Sequence, residues 1–214
     1  MRLAGEENMS TRTEHWDKIF STKSDPELGW YEKDSSQTMK FLDEIPHIES
    51  ATVFLPGAGT SALVDELLAR GHKLILHDIS EESLNKLKTR IGSDDGLIWL
   101  QHDISKPLPD DIPQAYIWID RAVLHFLLNE EEIHGYFDNL RSAITQEGYA
   151  LLAEFSTAGA SKCAGLDIHR YSIEEMTKRM GPEFELIMHE DYTYINPLGD
   201  PRPYVYALYK KNNG

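Results

Sequence analysis

The chain has 214 residues, enough for one domain with a sizeable core. Its 36 acidic residues against 21 basic ones give a net charge of -15, which repels nucleic-acid phosphates and anionic membranes, and no Lys/Arg cluster offsets it. No run approaches the ~20 apolar residues of a membrane helix, the N-terminus lacks an apolar secretory core, and Cys163 as sole cysteine excludes an intrachain disulfide. A cytoplasmic location is therefore expected, with neither nucleic acid nor membrane as partner.

Residues 1–13 are polar and read as a flexible tail, and residues 14–214 as one domain whose first part, about 14–46, forms a helical lid. Met39, Leu42 and Ile45 share one face of a helix predicted over Ser36–Ile45, which Pro46 stops. Ala51–Leu55 is a short apolar run entering a turn at Pro56-Gly57. A helix is predicted over Thr60–Arg70, with Leu63, Leu67 and Leu68 inward and Gly71 closing it. Lys73–His77 is a second strand. Ser80 caps a helix to Ile91 whose apolar stripe is Leu84 and Leu87. Gly96–Leu100 and Ala115–Ile119 are strands three and four. Glu130–Thr145 is a helix, Gly148–Phe155 a fifth strand, and Ser172 caps a helix to about Met180. Phe184–His189 and Tyr204–Lys210 are strands with no helix between them, so they must pair antiparallel. The alternation before them predicts an α/β, Rossmann-like three-layer sandwich, its sheet mostly parallel with an antiparallel C-terminal strand.

Ligands of open α/β sheets bind beyond the carboxyl ends of the strands, so the residues there carry the functional reading. Gly57-Ala58-Gly59-Thr60-Ser61 follows the first strand. Its two glycines let a ligand lie against bare main chain, at a helix N-terminus that favours negative charge. Asp78 follows at the spacing where a Rossmann acid meets ribose hydroxyls, about 20 residues on. Asp103, after the third strand, is placed to accept from an adenine amino group, with Ile79 and Ile104 clamping the ring. Each acid has an alternative reading: Asp78 as a helix N-cap in competition with Ser80, Asp103 as a turn former before Ser105-Lys106-Pro107. The three features in chain order, each at a strand end, outweigh any one alone.

The turn also satisfies the dinucleotide pattern of a nicotinamide (NAD(P)) oxidoreductase. Three points oppose that reading: the short chain, the second acid, and the terminal antiparallel pair. All three suit the class I S-adenosylmethionine-dependent methyltransferases, which the sequence resembles from about His15 to Lys210. V-F-L-P-G-A-G-T-S (Val53–Ser61) resembles that family's glycine motif, H-D-I-S (His77–Ser80) its ribose acid and H-D-I (His102–Ile104) its adenine acid. The resemblance is closer to a bacterial subgroup with D-R-A-V-x-H-F-L (Asp120–Leu127), K-C-x-G-L-x-x-x-R-Y (Lys162–Tyr171), W-D-K-x-F (Trp16–Phe20) and W-Y (Trp30-Tyr31).

The resemblance implies a seven-stranded sheet and S-adenosylmethionine (SAM) as cofactor, released as S-adenosylhomocysteine (SAH). Related eukaryotic proteins methylate protein lysines, so the acceptor is a small molecule or a protein side chain. Leu55 stands where the family usually has an acid near the methionine amino group, and Ser61 replaces the third glycine. These departures keep a non-catalytic SAM- or nucleotide-binding protein as an alternative. The D/N-P-P-Y/F motif of base- and amide-methylating relatives is absent; Asp120-Arg121-Ala122-Val123 occupies its place.

Asp120 ends the fourth strand and is expected beside the cofactor, with Arg121 and His125 one helical turn apart and His125 as a base for the acceptor. The alternative is a structural network with Arg121 paired to Asp120. Cys163, His169, Arg170 and Tyr171 are candidate acceptor contacts, with Cys163 a packing residue rather than a nucleophile. Trp30 and Tyr31 are expected at the site and Trp16 either there or in the core, because an aromatic face attracts a sulfonium. Trp99, Trp118 and Phe126 are expected in the core. The nine histidines lack ligand spacing, so no metal is expected.

Overall fold

The computed structural model describes residues 4–92 and 96–213. Helices and strands follow in the order α1 (Ala4–Thr22), α2 (Ser36–Leu42), β1 (Thr52–Leu55), α3 (Leu63–Ala69), β2 (Lys73–Asp78), α4 (Glu81–Ile91), β3 (Leu97–Gln101), β4 (Ala115–Arg121), α5 (Glu130–Ala143), β5 (Ile144–Phe155), β6 (Lys162–Cys163), β7 (Leu166–Asp167), α6 (Ile173–Met180), β8 (Phe184–Ile195) and β9 (Pro201–Lys211). Seven strands form one sheet in the order β3-β2-β1-β4-β5-β9-β8. Strands β1 to β5 run parallel, and β9 lies antiparallel between β5 and β8. This is the mixed sheet that the helix-free final connection requires.

The central strands β1, β2 and β4 are buried on both faces, so they read as continuous apolar runs. Successive residues feed opposite layers. Val53, Leu55, Ile117 and Ile119 pack with α2, α3 and α4 through Phe41, Leu42, Leu67 and Leu87. Phe54, Trp118, Ala150 and Leu152 pack with α5 and α6 through Ile133, Leu140, Met176 and Met180. Phe54 stacks on Trp118 with ring centroids 4.4 Å apart. The reversal of strand order between β1 and β4 opens a crevice at the carboxyl edge, and the cleft described below lies there.

Several local readings change. The segment taken as a tail is helical from Ala4, and Arg12 reaches α5 to pair with Glu132 at 2.9 Å. The polar first part of this helix is held by charged contacts, and its second half packs through Trp16 and Phe20. Asp17 fixes the same helix to the start of α4, accepting from Ser80 Oγ at 2.6 Å and Glu82 N–H at 3.2 Å. The helix predicted from Thr60 begins at Leu63, because the turn itself occupies 56–62. Its end is as read: Gly71, at φ +83°, donates to Leu68 and His72 to Leu67. α2 stops at Leu42, three residues early. α5 passes without a loop into β5 at Ile144, and the two late strands are 12 and 11 residues long. The short hairpin β6–β7 falls within the K-C-x-G-L segment.

Candidate functional site: a cleft at the carboxyl edge of the sheet

The cleft encloses about 1420 Å³ counting its open mouth. Its floor is the turn after β1. Gly57 and Gly59 take φ of +56° and +52°, the left-handed region that favours glycine. A Cβ on Gly57 would lie 2.3 Å from Val123 Cγ2, so the turn closes only on bare main chain.

Asp78, at the end of β2, holds this turn. It is buried, and its Oδ2 accepts from Gly59 N–H at 2.9 Å while Oδ1 accepts from Ser80 N–H at 2.8 Å. Ser80, not Asp78, caps α4: its Oγ accepts from Ser83 N–H at 3.1 Å. Burial raises the Asp78 carboxyl to about 6, against the opposing pull of the two backbone N–H groups. His77 beside it is also buried and held neutral, its value lowered to about 3 by burial. Its Nδ1 accepts from Gly57 N–H at 3.3 Å.

Asp103 follows β3 and is buried. Its Oδ1 accepts from Ser105 N–H at 2.9 Å and Ser105 Oγ at 2.8 Å, and no described protein group bonds its Oδ2. The loop carrying it is pinned from α5. Asn139 Nδ2 donates to the carbonyls of Ile104 and Lys106, and Asn139 Oδ1 accepts from Leu108 N–H. Gly135 lets the helix approach this closely, since a Cβ there would sit 2.0 Å from the Ser105 carbonyl oxygen.

Trp30, Tyr31, Gly57, Ala58, Gly59, Thr60, Ser61, Asp78, Ile79, Asp103, Ile104, Arg121 and Cys163 all line the cleft. Asp120 does not, which corrects its placement beside a cofactor. Its side chain enters the opposite layer, where Oδ1 accepts from Val123 N–H and Oδ2 from Leu124 N–H and the Tyr136 hydroxyl. It holds the backbone at the start of the 3-10 turn Leu124–Phe126 from inside the core. His125 is likewise absent from the cleft. It is fully buried, with Nδ1 2.7 Å from Glu154 Oε2, and burial lowers it to about 3 while raising Glu154 to about 8. A base so enclosed reaches no acceptor in the cleft.

His169, Arg170 and Tyr171 also lie elsewhere. His169 Nε2 meets Glu175 Oε1 at 2.9 Å, Arg170 donates to the Thr157 and Gly159 carbonyls, and Tyr171 is core. Cys163 lines the wall with its thiol pushed up to about 11 by burial, so it is not a nucleophile there.

Arg121 faces the cleft, paired not with Asp120 but with Glu32. Its Nη2 lies 2.7 Å from Glu32 Oε1, and its Nη1 donates to the Trp30 carbonyl at 2.9 Å. The rings of Tyr194 and Tyr204 lie 5.0 Å and 5.3 Å from the guanidinium carbon. Sequence reading missed Glu32 and Arg12, and it placed Phe126 in the core. Phe126 instead joins Trp16, Phe20 and Trp30 in an aromatic wall, with Trp16 4.9 Å from Phe126 and 5.5 Å from Trp30 between ring centroids. The Trp16–Phe20 motif was the available signal for that wall.

This architecture occurs in known proteins. Neither a protein-family model nor a curated protein matches the chain in sequence. Solved structures match in shape along nearly its whole length. A SAM-dependent methyltransferase from Anabaena variabilis superposes with a TM-score of 0.74 at 14% identity, over 96% of this chain and 95% of its own. The N-methyltransferase NodS from Bradyrhizobium japonicum, in complex with SAH, gives 0.70 at 12% identity, over 94% and 98%. The 1,6-didemethyltoxoflavin-N1-methyltransferase of Burkholderia thailandensis, with bound 1,6-didemethyltoxoflavin and SAH, gives 0.68 at 14%, over 100% and 92%. The fold is that of the SAM-dependent methyltransferases. Within that methyltransferase fold, the glycine turn, Asp78 and Asp103 stand at the ends of three adjacent parallel strands around one cleft.

Proposed function

We propose that this chain is a SAM-dependent methyltransferase that binds its cofactor across β1, β2 and β3 and methylates a small molecule. The reading rests on one arrangement: a left-handed glycine turn and two buried acids at successive strand ends lining a single cleft. The residues fit the cofactor. Gly57 and Gly59 leave no Cβ between ligand and main chain, and Asp103 Oδ2 keeps its acceptor capacity. Asp78 retains lone pairs for two ribose hydroxyls after its two backbone bonds. Ile79 and Ile104 flank the adenine position.

When bound, the cofactor supplies an electrophilic methyl group on a sulfonium. The protein supplies position and a dry, aromatic surround. Trp16, Trp30 and Phe126 exclude water from that end of the cleft, and their ring faces favour a cation by about 0.5–2 kcal/mol each. Two observations favour a small acceptor over a protein side chain. Arg12 of α1 lines the cleft while paired to Glu132 of α5, and Trp16 and Phe20 of that helix stand in the cleft.

Calorimetric titration with SAH and with NAD(P) tests the cofactor. Transfer of labelled methyl from SAM into a metabolite pool, against a protein pool, tests the acceptor. Tight NAD(P) binding with no SAH binding would overturn the reading. SAH binding without transfer into either pool would leave the non-catalytic alternative standing.

A further inference from the structure

Leu55 is buried, lines the cleft and stands where an acid is expected. The strand register pairs Val53 with Ile117 and Phe54 with Trp118. Continued by one residue, it sets Leu55 beside Ile119. Arg121 lies two residues further along β4, on the same face. An acid reaches Arg121 from a different part of the chain: Glu32, whose carboxylate sits 2.7 Å from the guanidinium.

Both side chains are only 12% exposed. Burying such a pair costs desolvation that its attraction seldom recovers, so it is weak as a device for stability. Burial also holds the Glu32 carboxyl above its usual range, even beside a guanidinium. The pair nevertheless lines a ligand cleft, with hydrogen-bonding capacity to spare. The guanidinium has five N–H donors, and the carboxylate has four acceptor sites.

We infer that Glu32 and Arg121 form the receptor for the α-amino-acid end of the cofactor, Glu32 accepting from its ammonium group and Arg121 donating to its carboxylate. This rests on the cofactor reading above. A zwitterion laid antiparallel to an ion pair makes two new charge-assisted contacts and leaves no net charge buried. Glu32 thereby supplies from the N-terminal segment the acid that β1 lacks. Tyr194 and Tyr204 hold the guanidinium in place from behind, and Tyr194 also donates to the Tyr31 carbonyl, next to Glu32.

Calorimetry with two probes tests this. SAH carries the amino-acid end, whereas 5′-methylthioadenosine shares its adenosine and sulfur but lacks that end. Wild-type protein should bind SAH at least about tenfold more tightly. Glu32→Gln and the charge-balanced double variant Glu32→Gln/Arg121→Met should lose about 10- to 100-fold in SAH affinity, with 5′-methylthioadenosine binding unchanged. Equal loss for both probes, or no loss for SAH, would overturn the inference. So would equal binding of the two probes by wild-type protein, a measurement that needs no variant to fold. An amino-acid acceptor as the zwitterion's source predicts that same equality. If wild-type protein binds neither probe, the methyltransferase reading itself fails.

Discussion

Asp120 and Arg121 are neighbours in sequence with opposite fates. Arg121 opens onto the cleft, where its charge meets Glu32 and the aromatic rings of β8 and β9. Asp120 turns into the core, where it joins Tyr136, His125 and Glu154 in a sealed cluster. The strand pleat separates them, since successive side chains point to opposite layers. A run of polar residues at a strand end is therefore two sites, not one. One is available to ligands, and the other supports the backbone that carries them.

The contrast breaks if the sealed cluster proves to bind ligand. Asp120→Ala should cost the most, about 3–5 kcal/mol in urea denaturation, because two backbone N–H groups and the Tyr136 hydroxyl lose a buried acceptor together. A variant that kept full stability but lost SAH binding would reverse the assignment. On the ligand side, Asp78→Asn should lower SAH affinity about 30-fold while changing the unfolding midpoint less than Asp120→Ala does.

Protons sharpen the comparison. Glu154 titrates near 8 in the fold, far above an unfolded glutamate, so the folded state keeps a proton that the unfolded chain has released. Stability then falls as pH rises toward 8. His125, lowered to about 3, acts in the opposite direction below its unfolded value near 6.5, where the unfolded chain takes up a proton and the folded state does not. Above about 6.5 the His125 effect is spent and a net decline remains, to which Asp120, its carboxyl also raised well above the usual range by burial, adds in the same direction. The expected loss is about 2 kcal/mol between pH 6.5 and 8, read from denaturation curves, and it should flatten in Glu154→Gln.

Asp78 gives the ligand side its own signature. Ribose hydroxyls favour its ionised form, so SAH affinity should weaken as pH drops below about 6, by up to about tenfold per unit, and this dependence should vanish in Asp78→Asn. The smallest effect belongs to the residue after Arg121. Ala122 sits at φ +71°, and Ala122→Gly should stabilise the protein by about 1 kcal/mol or less in the same denaturation assay.

The parallel sheet body and its antiparallel end were legible because apolar runs, glycine turns and helix caps are local signals. The cleft-lining residues at the strand ends were legible for the same reason. Gly57, Asp78 and Asp103 each stand at the end of a run whose length the sequence displays. The two-residue alternation through Ile117, Ile119 and Arg121, against Trp118 and Asp120, also carried the sidedness of β4, and reading it would have set Asp120 apart. Glu32 was not legible. Its position depends on how a segment without periodicity folds back over β4, and no short-range rule sets that path. Asn139 was hidden similarly: on a helix it reads as an ordinary polar residue until the Ile104–Leu108 loop is beside it. The first part of α1, before Thr13, escaped because it carries no apolar stripe to announce a helix, whereas Trp16 and Phe20 marked its second half.

Asp17 has a consequence beyond the anchoring of one helix. Ser80 gives its amide to Asp78 and its hydroxyl to Asp17, so a continuous relay of bonds runs from Asp78 in the cleft to the N-terminal helix. Adenosine seated on Asp78 would tighten that relay from one end. Cutting by a protease within the first two dozen residues should then slow when the cleft is filled, which makes the far N-terminus an external gauge of occupancy.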